Sequence, residues 1–363
     1  MSTAQANAPN PPHTGDDLIA AEDITINDQD EIDSIFSVEF VNVTIHVLFS
    51  FPDVRRRQSS TTSIASSVLE YRQIHGRTYH SDKFTANYFI PNDDQQLESE
   101  AICHHCLTIL LDDQLYLAPL EKDKIHVGAN WRVLDVGTGS GIWAIEFADQ
   151  FPNASVIGTD LSPCQPQWVP PNLCFEIDDA TLEWTWNDNH FDFIHMRYIV
   201  GGIEDWTALF QEAYRCCAPG GWVESLEYEP EFRSDDGTTE LEPVLASYGE
   251  LFREASKMLN SPLFVEKLQP QALDEAGFVD KRVVRYKIPV GPWAKDHKFA
   301  EVGHVARETL EYDLQGYTQM IWQSVQKPED EYHVWLANLR KAIRNPKVHS
   351  YMAVHLVYGR KPE

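Results

Sequence analysis

Val133-Leu134-Asp135-Val136-Gly137-Thr138-Gly139-Ser140-Gly141 runs straight into Ile142-Trp143-Ala144-Ile145-Glu146-Phe147-Ala148, and the reading of this stretch decides the fold. The apolar start reads as a buried strand, the alternate glycines as a sharp turn, and the residues after Gly141 as a helix. Glycines at Gly137, Gly139 and Gly141 let the backbone approach a bound molecule where a Cβ would collide. The exposed amides of Thr138 and its successors, at the start of the helix, offer that molecule hydrogen-bond donors. Such an occupant is nucleotide-like. The dinucleotide fingerprint would need its third glycine at position 142, which is Ile142, so the spacing argues against a nicotinamide dinucleotide. Asp135 at the strand's end would repel a pyrophosphate but not a zwitterionic amino acid or a sulfonium. S-adenosylmethionine meets both demands.

Outward from this stretch the pattern alternates. Strands are expected at 132–136, 155–159, 173–177, 191–195 and 222–228, with helices at 141–150 and 205–217 between them. Further helices are expected at 241–259, 265–276, 299–314 and 330–343, and two last strands at 278–288 and 351–358. This order predicts an α/β fold: a doubly wound, mostly parallel seven-stranded sheet with a helical insertion before the last strands. Upstream, a helix-like pattern starts at 68–72 and ends at 76–80, and 101–117 carries an apolar stripe suited to a helix on the sheet. Three regions follow: a tail at 1–58, a helical cover at 59–130 and the core at 131–363.

In a sheet of this kind the ligand lies beyond the carboxyl ends of the strands. Asp160, with Leu161 beside it, closes the second strand, where a carboxylate accepts hydrogen bonds from ribose hydroxyls. Asp178, Asp179 and Ala180 follow the third, where a carboxylate and an amide read an adenine. His195 closes the fourth, beside the transferring group, so it is both a cofactor contact and the first candidate for a general base, with His80 the second. Tyr71, next to Arg72, is placed to meet the methionine carboxylate from the N-terminal cover. Cys103-His104-His105-Cys106 has zinc-like C-x-x-C spacing, but no second ligand pair follows, so no metal is expected.

A formal net charge of -27 over 363 residues disfavours nucleic acid and anionic membrane surfaces as partners. The compact basic run, Arg55-Arg56-Arg57, reads as a solvated linker. The six cysteines show no disulfide spacing, so a reducing compartment is expected, cytoplasmic or nuclear. The tail is acidic, without Lys or Arg before Arg55, and is expected to be disordered. Within it, 36–51 (FSVEFVNVTIHVLFSF) is abruptly apolar. An edge strand, a partner-binding segment and translated non-coding sequence all account for it, and the break in composition favours the last.

Eight phrases carry a resemblance: SSVLEYRQIHGRTYH (66–80), VLDVGTGSGIWAIEFADQFP (133–152), VIGTDLSPCQPQWVPPN (156–172), FDFIHMR (191–197), APGGWVESLEYE (218–229), SDDGT (234–238), GPW (291–293) and VYGRKP (357–362). Together they resemble the LaeA-like fungal methyltransferases, a family within the class I S-adenosylmethionine-dependent methyltransferases. The apolar segment 36–51 and the residues 198–202 after the fourth strand depart from that pattern. The resemblance implies S-adenosyl-L-methionine as cofactor and methyl transfer as activity. It implies a small-molecule acceptor from secondary metabolism or, as the alternative, a nuclear regulator acting through protein partners.

Overall fold

A computed structural model of the chain describes residues 13–15, 18–21, 70–84, 86, 88–127 and 131–363. Strand β3 (Trp131–Val136) alternates between two apolar clusters, Val133 entering one and Leu134 and Val136 the other. A strand apolar on both faces is stable only where both are covered, which puts it inside the sheet. Around it lie β4 (Ala154–Asp160), β5 (Leu173–Ile177), β6 (Phe191–Arg197), β7 (Cys217–Tyr228), β8 (Val279–Pro289) and β9 (Tyr351–Arg360). The order is β5-β4-β3-β6-β7-β9-β8, with β9 antiparallel to both its neighbours and the pairs from β5 to β7 parallel. This is the doubly wound, mostly parallel sheet that the pattern predicts. Because the chain goes from β3 to β4 on one side and to β6 on the other, the order switches between β3 and β6, and a crevice opens at their carboxyl ends.

Helix α1 (Asp94–Leu110) starts where the Asp93 carboxylate accepts the Gln96 amide at 3.2 Å. It is followed by the short α2 (Lys122–Val127). Helix α3 (Ile142–Gln150) leads out of the glycine turn, and α4 (Trp206–Cys216) is capped by Asp205, which accepts from Ala208 N at 2.9 Å. Helices α5 (Val244–Met258) and α6 (Leu268–Ala276) precede β8, and α7 (His297–Ser324) and α8 (Glu329–Ile343) precede β9. Helix α1 packs along α7, and together they roof the crevice. Among the described residues no helix is long and apolar enough to cross a membrane.

Several expectations are corrected. The helix placed at 101–117 begins earlier and ends at Leu110, because Asp112 and Asp113 take left-handed backbone (φ 54° and 59°) that no helix continues through. Where the structure describes it, the helix-like pattern expected from 68–72 to 76–80 is instead a hairpin of β1 (Arg72–Ile74) and β2 (Arg77–Tyr79). His75 and Gly76 both have positive φ (49° and 78°), the signature of a tight two-residue hairpin turn. Helix α7 runs on to Ser324 past a break at Asp313 (φ -138°, ψ 44°). There the Arg77 guanidinium donates to both Asp313 oxygens (2.7 and 2.6 Å) and to Asp93 (2.5 and 2.7 Å), tying the hairpin, the α1 cap and the α7 break together. The expected disordered tail is docked at its described residues: Ala20 bridges Ala294, and Thr14 O accepts the edge-strand amide Lys287 N at 3.1 Å. An open edge on β8 provides the unpaired backbone groups that this segment satisfies. The segment 36–51, Arg55 to Arg57 and the rest of 1–58 lie outside the described residues, as do Ser66 to Leu69.

Candidate functional site

All three glycines of the turn have positive φ: 68° at Gly137, 55° at Gly139 and 80° at Gly141. Their reasons differ. A Cβ on Gly139 would sit 2.7 Å from Glu100 Oε2 in the crevice, whereas one on Gly141 would strike the Phe175 ring beneath the turn. Thr138 N donates to Thr159 O at 2.8 Å and Thr138 Oγ1 to Asp135 Oδ2 at 2.6 Å, fixing the turn over β3 and β4. Asp160 accepts Gly139 N at 2.8 Å and Ser162 N at 3.0 Å, and burial pushes its carboxyl up to about 6.

One continuous cleft runs from this turn along the carboxyl ends of the parallel strands to Met352 and Val354 in β9. Asp135, Gly137, Thr138, Gly139, Asp160, Leu161, Asp178, Asp179 and Ala180 line its first half, as the strand-end rule placed them. Asp179 is committed locally, accepting from Thr181 (2.6 Å from Oγ1, 3.0 Å from N) and from Ala86 N at 3.3 Å. Asp178 beside it is half-buried, which leaves it as the carboxylate open to a ligand.

Three residues do not line the cleft. Gly141 is beneath the turn, serving the Phe175 packing. Tyr71 is outside the wall; burial, and after it the nearby Cys164 and Asp160, raise its hydroxyl's pKa. His195 is 2% exposed, stacked on Trp143 (ring centroids 3.7 Å apart, planes at 3°), with its Nδ1 2.7 Å from Asp135 Oδ1. Register explains this: Asp135 and His195 are partners on neighbouring strands and share the face covered by α3. His195 therefore holds Asp135 and is not positioned as a base. His80 does line the cleft, but Arg72 donates to its Nε2 at 3.0 Å and its Nδ1 bonds Ser81 O at 2.9 Å. Burial and the Arg72 charge lower its pKa, so it is neutral with both nitrogens engaged, and it too is a positioning residue.

Sequence reading missed several wall residues. Gln96, Glu100 and His104 all face the cleft from α1; their i, i+4, i+8 spacing is the available signal, and it overlaps the C-x-x-C pair at 103–106. Glu100 accepts Ser140 N at 3.2 Å, and burial followed by the nearby Asp160 pushes its carboxyl up to about 7. His104 bridges Arg197 Nη2 (3.1 Å) and Glu146 (3.0 Å), and Cys103 and the buried Cys106 line the cleft beside it. The second half of the cleft is walled by Tyr88, Tyr198, Tyr228, Tyr248, Tyr317 and Met352. Tyr198 is held at a positive φ of 55°, stacked edge-on to Tyr228 (5.4 Å, 86°). The loop after it is pinned by Glu227, which accepts Ile199 N at 2.9 Å and Val200 N at 3.1 Å.

The glycine turn, the strand-end carboxylates and the sheet order define a class I S-adenosylmethionine-dependent methyltransferase: the donor set is rich in carboxylate and poor in cations, which suits a cofactor carrying a sulfonium and an ammonium. A family model described as a methyltransferase domain matches residues 104–278. Methyltransferase pytC of Aspergillus terreus is 34% identical over 84% of this chain and 92% of its own length. The secondary metabolism regulator LAE1 of Cochliobolus heterostrophus is 32% identical over 79% and 94%. The protein-methionine methyltransferase laeA of Emericella nidulans is 28% identical over 85% and 82%. The chain belongs to the LaeA-like methyltransferase family and uses S-adenosyl-L-methionine.

Proposed function

We propose that this methyltransferase acts on a small, largely apolar and aromatic acceptor, an intermediate of fungal secondary metabolism. The observation that carries this reading is the tyrosine-walled half of the cleft, continuous with the glycine turn and roofed by α1 and α7. A chamber recessed beneath two helices suits a compact molecule better than a protein surface, and its tyrosine rings offer faces and edges to a planar ring.

Gly137, Thr138 and Gly139 would hold the methionine end of the cofactor, Asp160 the ribose hydroxyls, and Asp178 with the Ala180 amide the adenine. The bound cofactor supplies a methyl group on positively charged sulfur, already activated for transfer. The chain's own task is to orient the acceptor and exclude water. Tyr198 and Tyr228, fixed by the Glu227 clamp and by each other, set the acceptor's plane. His195 and Trp143 keep Asp135 from moving beneath the turn.

The test is transfer of isotope-labelled methyl from S-adenosylmethionine by the full chain, read by mass spectrometry against hydroxylated aromatic polyketides and prenylated indoles beside a fungal protein extract. Label in a small molecule supports the reading. Label confined to protein favours the regulatory alternative, to which LAE1 is the similar relative.

A further inference from the structure

We infer that Glu100, carried on the roof helix α1, is the carboxylate that receives the α-ammonium of the cofactor, so that cofactor binding and the seating of α1 are one event. The inference rests on the cofactor assignment above and adds to it a residue outside the motifs that define the family.

Four observations carry it. Glu100 reaches across the cleft from α1 and accepts Ser140 N at 3.2 Å, so its carboxylate is held against the glycine turn, with Gln96 on its own helix also bonded to it. The contact is close: a Cβ on Gly139 would lie 2.7 Å from Oε2 and 3.6 Å from Oε1. A position touching Gly139 is where the methionine end of an occupant of this turn must lie. The residue has no cationic partner of its own: among the described residues no Lys or Arg forms an ion pair with it, and Arg197, which acts on it electrostatically, is turned to His104. Asp160 adds a second negative charge nearby. Two carboxylates recessed together beside a turn are unfavourable unless a cation arrives, and a bound ammonium removes that penalty.

Titratable neighbours face Glu100 from every element around it: the charged Asp160 from β4 and Arg197 from β6, and the neutral Tyr88 before α1, Cys103 on α1, Cys164 after β4 and Tyr317 on α7, whose hydroxyls and thiols burial holds protonated. Of these only Arg197 is a cation. Burial and Asp160 raise the Glu100 carboxyl to about 7, so binding a cation near pH 6.5 expels a proton.

The experiment is titration calorimetry of the full chain with S-adenosylmethionine and with S-adenosylhomocysteine, for wild type and Glu100→Gln, with thermal melts confirming that the variant folds. Gln keeps an oxygen for Ser140 N and loses only the charge. The expected result is a loss of about tenfold or more in affinity for both ligands, the scale of a hydrogen bond to a charged group. Proton release near pH 6.5, read by repeating the titration in buffers of different ionisation enthalpy, should fall to the smaller share that Asp160 contributes. Unchanged affinity in a folded variant overturns the inference. A loss confined to S-adenosylmethionine would also overturn it, since the group would then face the sulfonium. If wild type binds neither ligand, the cofactor assignment itself fails. Should Glu100→Gln not fold, the wild type is titrated with the S-adenosylhomocysteine analogue lacking the amino group. That analogue is expected to bind at least tenfold more weakly and with proton release reduced to the same smaller share, and equal binding overturns the inference.

Discussion

Replacing Arg77 by Met should destabilise the protein by about 3 kcal/mol, because it strands a buried carboxylate where three elements meet. The Arg77 side chain is 9% exposed, Asp313 is 0% and Asp93 is 22%. Removing one partner of a buried pair costs roughly 3 to 5 kcal/mol. The lower end applies here, since Asp313 keeps Gly316 N (3.0 Å) and Gln95 Nε2 (3.1 Å), and Asp93 keeps Gln96 N. If the stranded charge is the cause, Arg77→Met combined with Asp313→Asn should recover at least half of the loss, giving a coupling far from additivity. The assay is urea unfolding at constant m-value, with the midpoint shift converted to free energy. A loss under about 1 kcal/mol in the single variant, or a double variant as unstable as the sum of the singles, would refute the reasoning.

Gly139→Val should abolish cofactor binding, since a β-branched residue resists φ 55° and its Cβ would press on Glu100; calorimetry with wild-type affinity would contradict this. Asp160→Ala should weaken S-adenosylmethionine by about 1.5 to 3 kcal/mol, measured as the change in Kd. Cofactor affinity should rise with pH between about 5.5 and 7.5, as Asp160 (about 6) and Glu100 (about 7) ionise. The sign follows because both folded pKa values lie above the ordinary carboxylate range: below them the groups are neutral and attract no cation, above them they do. In the ligand-free protein the same two groups act oppositely, their contribution to stability being present at low pH and lost as pH rises through 6 to 7. A pH-independent Kd would remove this account of the cleft's charge. A chain lacking residues 1–21 should melt a few degrees lower, through loss of the Ala20 bridge and the Thr14 contact, with cofactor affinity unchanged, which a melting scan and a titration together check.

What the sequence made legible was whatever depends on local pattern. The strands at 131–136 and 191–197 and the glycine turn stand out because buried parallel strands are continuous apolar runs and left-handed turns demand glycine. Asp160 and Asp178 were reachable by the rule that ligands sit at carboxyl ends of strands. The same rule misjudged His195, because a strand residue's face is set by cross-strand register, and the stack on Trp143 is not written in local sequence. The His75-Gly76 turn was lost inside a helix-like run, although a residue followed by Gly between two short β-prone stretches is a hairpin signal. The break at Asp313 and the tyrosine chamber depend on contacts such as Arg77 with Asp313, 236 positions apart, and no window of sequence contains them.

The most direct test of the whole account is a crystal structure of the full chain with S-adenosylhomocysteine. The adenosyl group is expected between Asp160 and Asp178, the amino acid end against Gly137 to Gly139, and the sulfur open toward Tyr198 and Tyr228. A ligand bound elsewhere, or one whose sulfur points away from the tyrosine chamber, would contradict it.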